Sequence, residues 1–178
     1  MESREEVNDG RMAERYEFDE VTLLSALAMG VPGKRTFFLI VGQKEEWVRV
    51  WLEKEQLETL SLAIDQFLLT LSQKHLISSR EAEGMPLSDD VPSGLPSAEL
   101  EIDQITLGFN QERTTLNFLV HVLGPRKVDQ AVLYCRATLA QLKKLGNQAK
   151  IICAAGRPRC VLCGRPIDST GHICSMNN

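Results

Sequence analysis

Residues 100–107 read LEIDQITL, and residues 16–23 read YEFDEVTL, identical at four of eight positions. In both segments apolar and polar side chains alternate, the period-two signature of a half-buried strand. The two segments also lead into similar runs of elements. In the first, residues 21–29 are largely apolar and Gly30-Val31-Pro32-Gly33 spells a turn. Residues 36–41 form a β-branched and aromatic run suited to a buried strand. Residues 42–46 break the pattern, and then Trp47, Arg49 and Trp51 alternate with Val48, Val50 and Leu52. Leu57, Leu60, Ile64, Phe67, Leu68 and Leu71 recur at helical spacing, which predicts an amphipathic helix over Lys54–Gln73.

The second segment leads into the same order. Leu116, Phe118, Val120 and Val122 alternate with Asn117, Leu119 and His121, Pro125-Arg126-Lys127 makes a turn, and residues 131–136 read as a strand. Thr138, with Gln141 three positions on, is a capping box opening a helix whose stripe is Leu139, Leu142, Leu145, Ala149 and Ile152. Gly156-Arg157-Pro158 closes it. Between the halves, Ser, Pro, Gly and acidic residues displace all periodicity.

The predicted fold is α+β. Two similar β-β-β-α halves, related by a pseudo-two-fold, share one antiparallel sheet covered by helices, and a zinc knuckle stands at the C-terminus. The expected organisation is a disordered N-terminus at 1–12, the first half at 13–76, and a flexible linker at 77–97. The second half covers 98–155 and a zinc-binding tail 156–178. Neither half alone buries both faces of a three-stranded sheet well, so the halves should pair.

Cys160, Cys163, His172 and Cys174 form a C-x2-C-x8-H-x-C pattern. Thiolates and imidazole are the donors Zn²⁺ prefers, and four of them close a tetrahedral shell. A closed shell points to a structural ion, since a catalytic zinc keeps one position open. An iron–sulfur cluster favours four thiolates and fits less well. Gly164, after the second cysteine, permits the positive φ that lets a knuckle aim its backbone N–H groups at sulfur. Cys135 and Cys153 read as small core residues. The tail has few apolar side chains, so bound metal should supply its folding free energy.

The N-terminus is too polar for a signal peptide, and no apolar run reaches the roughly 20 residues of a membrane span. A cytoplasmic protein is expected, with reduced cysteines free to hold metal. The net charge of −4 conceals an asymmetry: residues 1–125 hold 11 basic and 22 acidic side chains, whereas 126–178 hold 9 and 2. The basic end can dock on the acidic body or meet an acidic partner. Arg157, Arg159 and Arg165 raise nucleic-acid binding as an alternative, although the motif contains no aromatic side chain to stack a base.

Catalytic signals are weak. The carboxylates Glu17, Asp19, Glu101 and Asp103 read as solvated strand residues more readily than as paired acids, and His121 as an ordinary strand residue. His75 falls at a helix end, where a cation suits the dipole. No nucleophile elbow, Walker loop or dinucleotide fingerprint occurs.

Several segments resemble an uncharacterised bacterial family, one of the domains of unknown function. They are GVPGKRTFFL at 30–39, LEKEQ at 52–56, AGRP at 155–158, CVLCGRP at 160–166 and GHIC at 171–174. The resemblance spans nearly the whole chain and is most specific in the cysteine-containing segment. It departs where the family carries an acidic stretch, here Gly124-Pro125-Arg126-Lys127. The resemblance implies genes beside those of a histidine-phosphatase-like and a phosphoinositide-kinase-like protein, hence a shared process. The resulting expectation is a zinc-stabilised, non-catalytic interaction or adaptor protein with a protein partner. An enzyme acting with those neighbours, or nucleic-acid binding through the basic tail, is the alternative. The sequence leaves the oligomeric state open.

Overall fold

A computed structural model describes residues 15–43, 45–77, 92–101, 104–112, 115–121, 131–168 and 170–176. The expected disordered segment 1–12, most of the 77–97 linker and the Pro125-Arg126-Lys127 turn lie outside the described residues. The chain forms β1 (Tyr16–Phe18), β2 (Leu23–Met29), β3 (Thr36–Gln43), β4 (Glu46–Leu52), α1 (Lys54–Gln73), β5 (Ala98–Glu101), β6 (Gln104–Asn110), β7 (Thr115–His121), β8 (Ala131–Ala137) and α2 (Leu139–Ala154). The class is α+β, with two helices, two four-stranded sheets and a C-terminal Cys/His cluster among the described residues.

The strands do not join in one common antiparallel sheet. One sheet has the order β2-β3-β4-β5 and the other β1-β8-β7-β6. Each is an antiparallel meander extended by a short parallel strand from the other half of the chain: β5 beside β4, and β1 beside β8. Parallel neighbours need a crossover connection, and α1 provides it between β4 and β5. The matching strand beside β8 comes instead from the beginning of the chain. Alternation reveals which face of a strand is apolar but not which strand lies next to it, so this exchange leaves no trace in the hydrophobic pattern.

The pairing also corrects the sequence alignment. Phe18 lies opposite Cys135 and Leu100 opposite Val50, each partner standing equally far ahead of its helix cap, Thr138 or Glu53. Phe18 therefore corresponds to Leu100, whereas the segment match sets it against Ile102. The eight-residue match is out of step by two, a slip that alternation tolerates because it keeps every side chain on the same face. Within the expected break at 42–46, Gly42, Gln43 and Glu46 instead continue the ladder: Gly42 pairs with Trp47 and Gln43 with Glu46. A Cβ on Gly42 would fall 2.5 Å from that of Trp47, so only glycine fits there.

The main core joins both sheets and both helices. Leu39, Val41, Val48 and Val50 from one sheet meet Leu116, Phe118, Val120 and Leu133 from the other, with Leu57, Ile64, Leu142 and Leu145 of the helices. Gly146 lets the helices approach closely; a Cβ there would stand 2.9 Å from Ile64 Cγ2. Lys150 adds a 2.6 Å ion pair from α2 to Asp65 on α1. α2 also covers the β2 edge, where the Gln148 carboxamide oxygen accepts the Ala26 N–H. The corresponding α1–β6 edge is an open groove of about 410 Å³ floored by Leu60, Ile105 and Leu107. On the outer face of the first sheet, Arg49 lies over the rings of Phe38, Trp47 and Trp51 at 5.3–5.5 Å and reaches Glu99 of β5 at 2.7 Å. That cation–π cluster ties the exchanged strand to its host.

Both helices start on capping boxes. The Thr138 hydroxyl accepts the Gln141 N–H while the Gln141 side chain accepts that of Thr138. Gln56 likewise accepts the Glu53 N–H at 2.8 Å. No helix among the described residues is long and apolar enough to cross a membrane.

Candidate metal centre

After α2 the backbone turns back on itself twice. Arg159 and Pro166 form an antiparallel bridge around the Cys160–Cys163 turn, as Asp168 and Gly171 do further on. The Gly164 N–H donates to the Cys160 carbonyl at 2.8 Å and the Cys160 N–H to Arg165 at 2.8 Å. The Ile167 N–H reaches Pro158 at 2.7 Å. Gly164 and Gly171 have φ of 70° and 88°, so the positive φ expected at Gly164 is present. The first turn carries Cys160 and Cys163, and His172 and Cys174 follow directly on the second.

Cys160, Cys163, His172 and Cys174 lie close enough to bind a metal ion, with one donor atom from each within 4.8 Å of all the others. The donor set fits zinc. At a Zn–S bond of about 2.3 Å a tetrahedral sulfur–sulfur edge is about 3.8 Å, and with a ring nitrogen about 3.5 Å. Cys160 Sγ and Cys174 Sγ are 3.8 Å apart; Cys163 Sγ and His172 Nε2 are 3.2 Å apart. All four residues are half-buried.

Electrostatics favour a cation here. The backbone N–H groups of Cys163 and Leu162 point at Cys160 Sγ and bring its thiol down to about 6. At Cys174 the Met176 N–H favours the thiolate, but desolvation and the neighbouring Cys163 and Cys160 outweigh it and raise the thiol. One thiolate thus opposes the next, and a bound cation relieves that opposition.

The remaining candidates are spread over the surface. Glu17 pairs with Arg15 and Asp19 with Arg136, both exposed carboxylates. Glu101 is exposed in the other sheet, and Asp103 lies outside the described residues. His121 Nε2 is 3.3 Å from Thr106 Oγ1 on the outer face. Cys135 and Cys153 are buried core residues away from the cluster, as expected.

Sequence reasoning missed a cleft beside the metal centre. Arg35 of the β2–β3 connection, Phe37 of β3, Glu53, Lys54 and Glu55 at the start of α1, and Arg157 and Arg159 of the tail line it. The signal was present: GVPGKRT, LEKEQ and AGRP stood out separately, but nothing in the spacing says that they meet.

The chain belongs to the family described as "Protein of unknown function (DUF3090)", which it matches over residues 16–174. No curated protein and no solved structure matches it.

Proposed function

We propose that this family member is a zinc-stabilised, non-catalytic protein-interaction module whose tail is its docking element. Zn²⁺ held by Cys160, Cys163, His172 and Cys174 closes its own shell and leaves no position for substrate. The observation that carries the reading is the exposure of apolar side chains between and just beyond the ligands. Val161 is 98% exposed, Ile173 93%, Met176 69% and Leu162 59%. Val161 and Leu162 sit in one ligand turn and Ile173 in the other, so all three flank a single centre. Exposed apolar groups held by a rigid knuckle are what a partner buries. Arg165, exposed beside them, suits a partner with acidic groups around an apolar pocket. Nucleic-acid binding is less well supported: Arg157 is already paired with Asp168, and Arg159 lines the cleft against the body.

On this reading the protein works in the cytoplasm, where thiols stay reduced and free to hold metal. The shared strand order and paired capping boxes support descent of the two halves from one duplicated unit.

Metal analysis of purified protein is expected to give about one zinc per chain by the four-ligand rule. Pull-downs from the native cell then compare wild type with Cys163→Ser and with Val161→Asp/Ile173→Asp. Both variants should lose the same partner, while the double variant keeps its zinc. Identical partners recovered by all three would refute the tail as the docking element.

A further inference from the structure

The cleft between tail and body has a volume of about 320 Å³, at the small end of ligand pockets, which run about 300–1,000 Å³. Phe37, Ile152 and Pro166 supply the larger apolar side chains of its lining. Four cations, Arg35, Lys54, Arg157 and Arg159, and two carboxylates, Glu53 and Glu55, surround it. Two of the cations are fixed by glycines. Arg157 lies across Gly33, where a Cβ would come within 3.3 Å of its Nε, and Lys54 lies across Gly156, with Nζ 3.4 Å from such a Cβ. These two also have carboxylate partners, Asp168 and Glu58.

Arg35 and Arg159 differ. Among the described residues neither forms an ion pair with a carboxylate. Arg35 Nη1 reaches only the Ile152 carbonyl at 3.5 Å, and Arg159 Nη1 only that of Gly164 at 3.3 Å. Two guanidinium groups from separate parts of the fold thus line one cleft with most of their donors uncommitted. The first turn of α1 adds the positive end of a 20-residue helix.

We propose that this cleft binds the phosphate group of a small hydroxylated phosphomonoester. Arg35 and Arg159 take the phosphate oxygens in charge-assisted hydrogen bonds, the geometry that guanidinium serves best. Glu53 and Glu55, which have no cation partner of their own among the described ion pairs, accept hydrogen bonds from the hydroxyl groups of the remainder. The same carboxylates discourage an all-anionic ligand. A volume of about 320 Å³ suits a small molecule and not a nucleic-acid strand. Beyond the docking role, the tail supplies Gly156, Arg157, Arg159 and Pro166 of the lining, so the site leans on the knuckle for one wall.

Calorimetric titration of the full chain at fixed low ionic strength tests it, with glycerol 3-phosphate, inorganic phosphate and glycerol as probes and zinc measured in every sample. Wild type should bind glycerol 3-phosphate saturably, inorganic phosphate more weakly and glycerol not at all. Arg35→Gln and Arg159→Gln should each weaken glycerol 3-phosphate at least tenfold, and Lys143→Gln, exposed on α2 and outside the cleft, should not change it. Zinc-loaded protein that binds neither phosphate overturns the cleft and leaves the knuckle standing. Binding unaltered in both Arg35→Gln and Arg159→Gln overturns it as well. Zinc-free protein that binds both phosphates through Arg35 supports the cleft and removes the zinc reading.

Discussion

His75 shows how one residue's environment decides its role. It lies just past the C-terminus of α1 with φ of 54°, in the left-handed region that glycine ordinarily fills. Its N–H donates to Ser72 and that of Leu76 to Leu71, the paired bonds of a Schellman cap. Sequence reasoning valued it as a cation at a helix end; the backbone makes it a helix stop. Because a left-handed non-glycine residue costs roughly 1–2 kcal/mol, His75→Gly is expected to raise stability by about 1 kcal/mol, read by urea denaturation. An unchanged midpoint would contradict this. Cys135 gives the residue-scale pH dependence. Burial pushes its thiol up to about 12, from an ordinary value of 9.0. Below pH 9 both folded and unfolded chains keep the proton, and stability from this group is complete. Between 9 and 12 only the unfolded chain releases it, so stability falls by about 1.4 kcal/mol per pH unit. Between pH 8.5 and 10.5, Cys135→Ala should therefore lose roughly 2 kcal/mol less than wild type; equal losses would disprove the assignment.

At the scale of elements, what the sequence made legible was whatever is local. The bounds of α1 follow from its apolar stripe, the start of α2 from Thr138 and Gln141, and the inward faces of β4 and β7 from alternation. The Cys/His cluster was equally legible, because its four residues lie near one another in the chain and close enough in space to bind a metal ion. Partners distant in sequence were not legible. Nothing in Tyr16–Phe18 announces β8, and nothing in Arg35 announces Arg159. The capping box of α1 also escaped notice because glutamate is an unusual N-cap. Gly146 is the element-scale test of the helix pair. Glycine inside a helix normally costs up to about 1 kcal/mol against alanine, yet here it admits Ile64. Gly146→Val should overpack the crossing and destabilise by about 1–3 kcal/mol, measured by thermal unfolding. A neutral result would mean the helices can separate without cost.

For the whole molecule, the tail and the body are stabilised by different means. The body has a large apolar core that joins both sheets and both helices, whereas the tail leaves Val161, Leu162 and Ile173 in water and has turns, the Arg157–Asp168 pair and its donor cluster instead. Removing metal should therefore unfold one and spare the other. Limited proteolysis with and without chelator is expected to show cleavage within 156–176 only in the chelated sample, with the body equally resistant in both. Protection of the tail regardless of chelator would show that metal does not hold it.

The exchange of β1 and β5 between sheets has a consequence for how the chain is made. A ribosome releases residues in order, and β1 leaves it more than a hundred residues ahead of β8, the strand it must join. β2, β3, β4 and α1 can assemble as they emerge, but the first strand waits until nearly all of the body has been synthesised. Pairing between such distant partners is slow and leaves an edge exposed in the meantime. The short length of β1 keeps that exposed edge small: three residues offer little for another nascent chain to join.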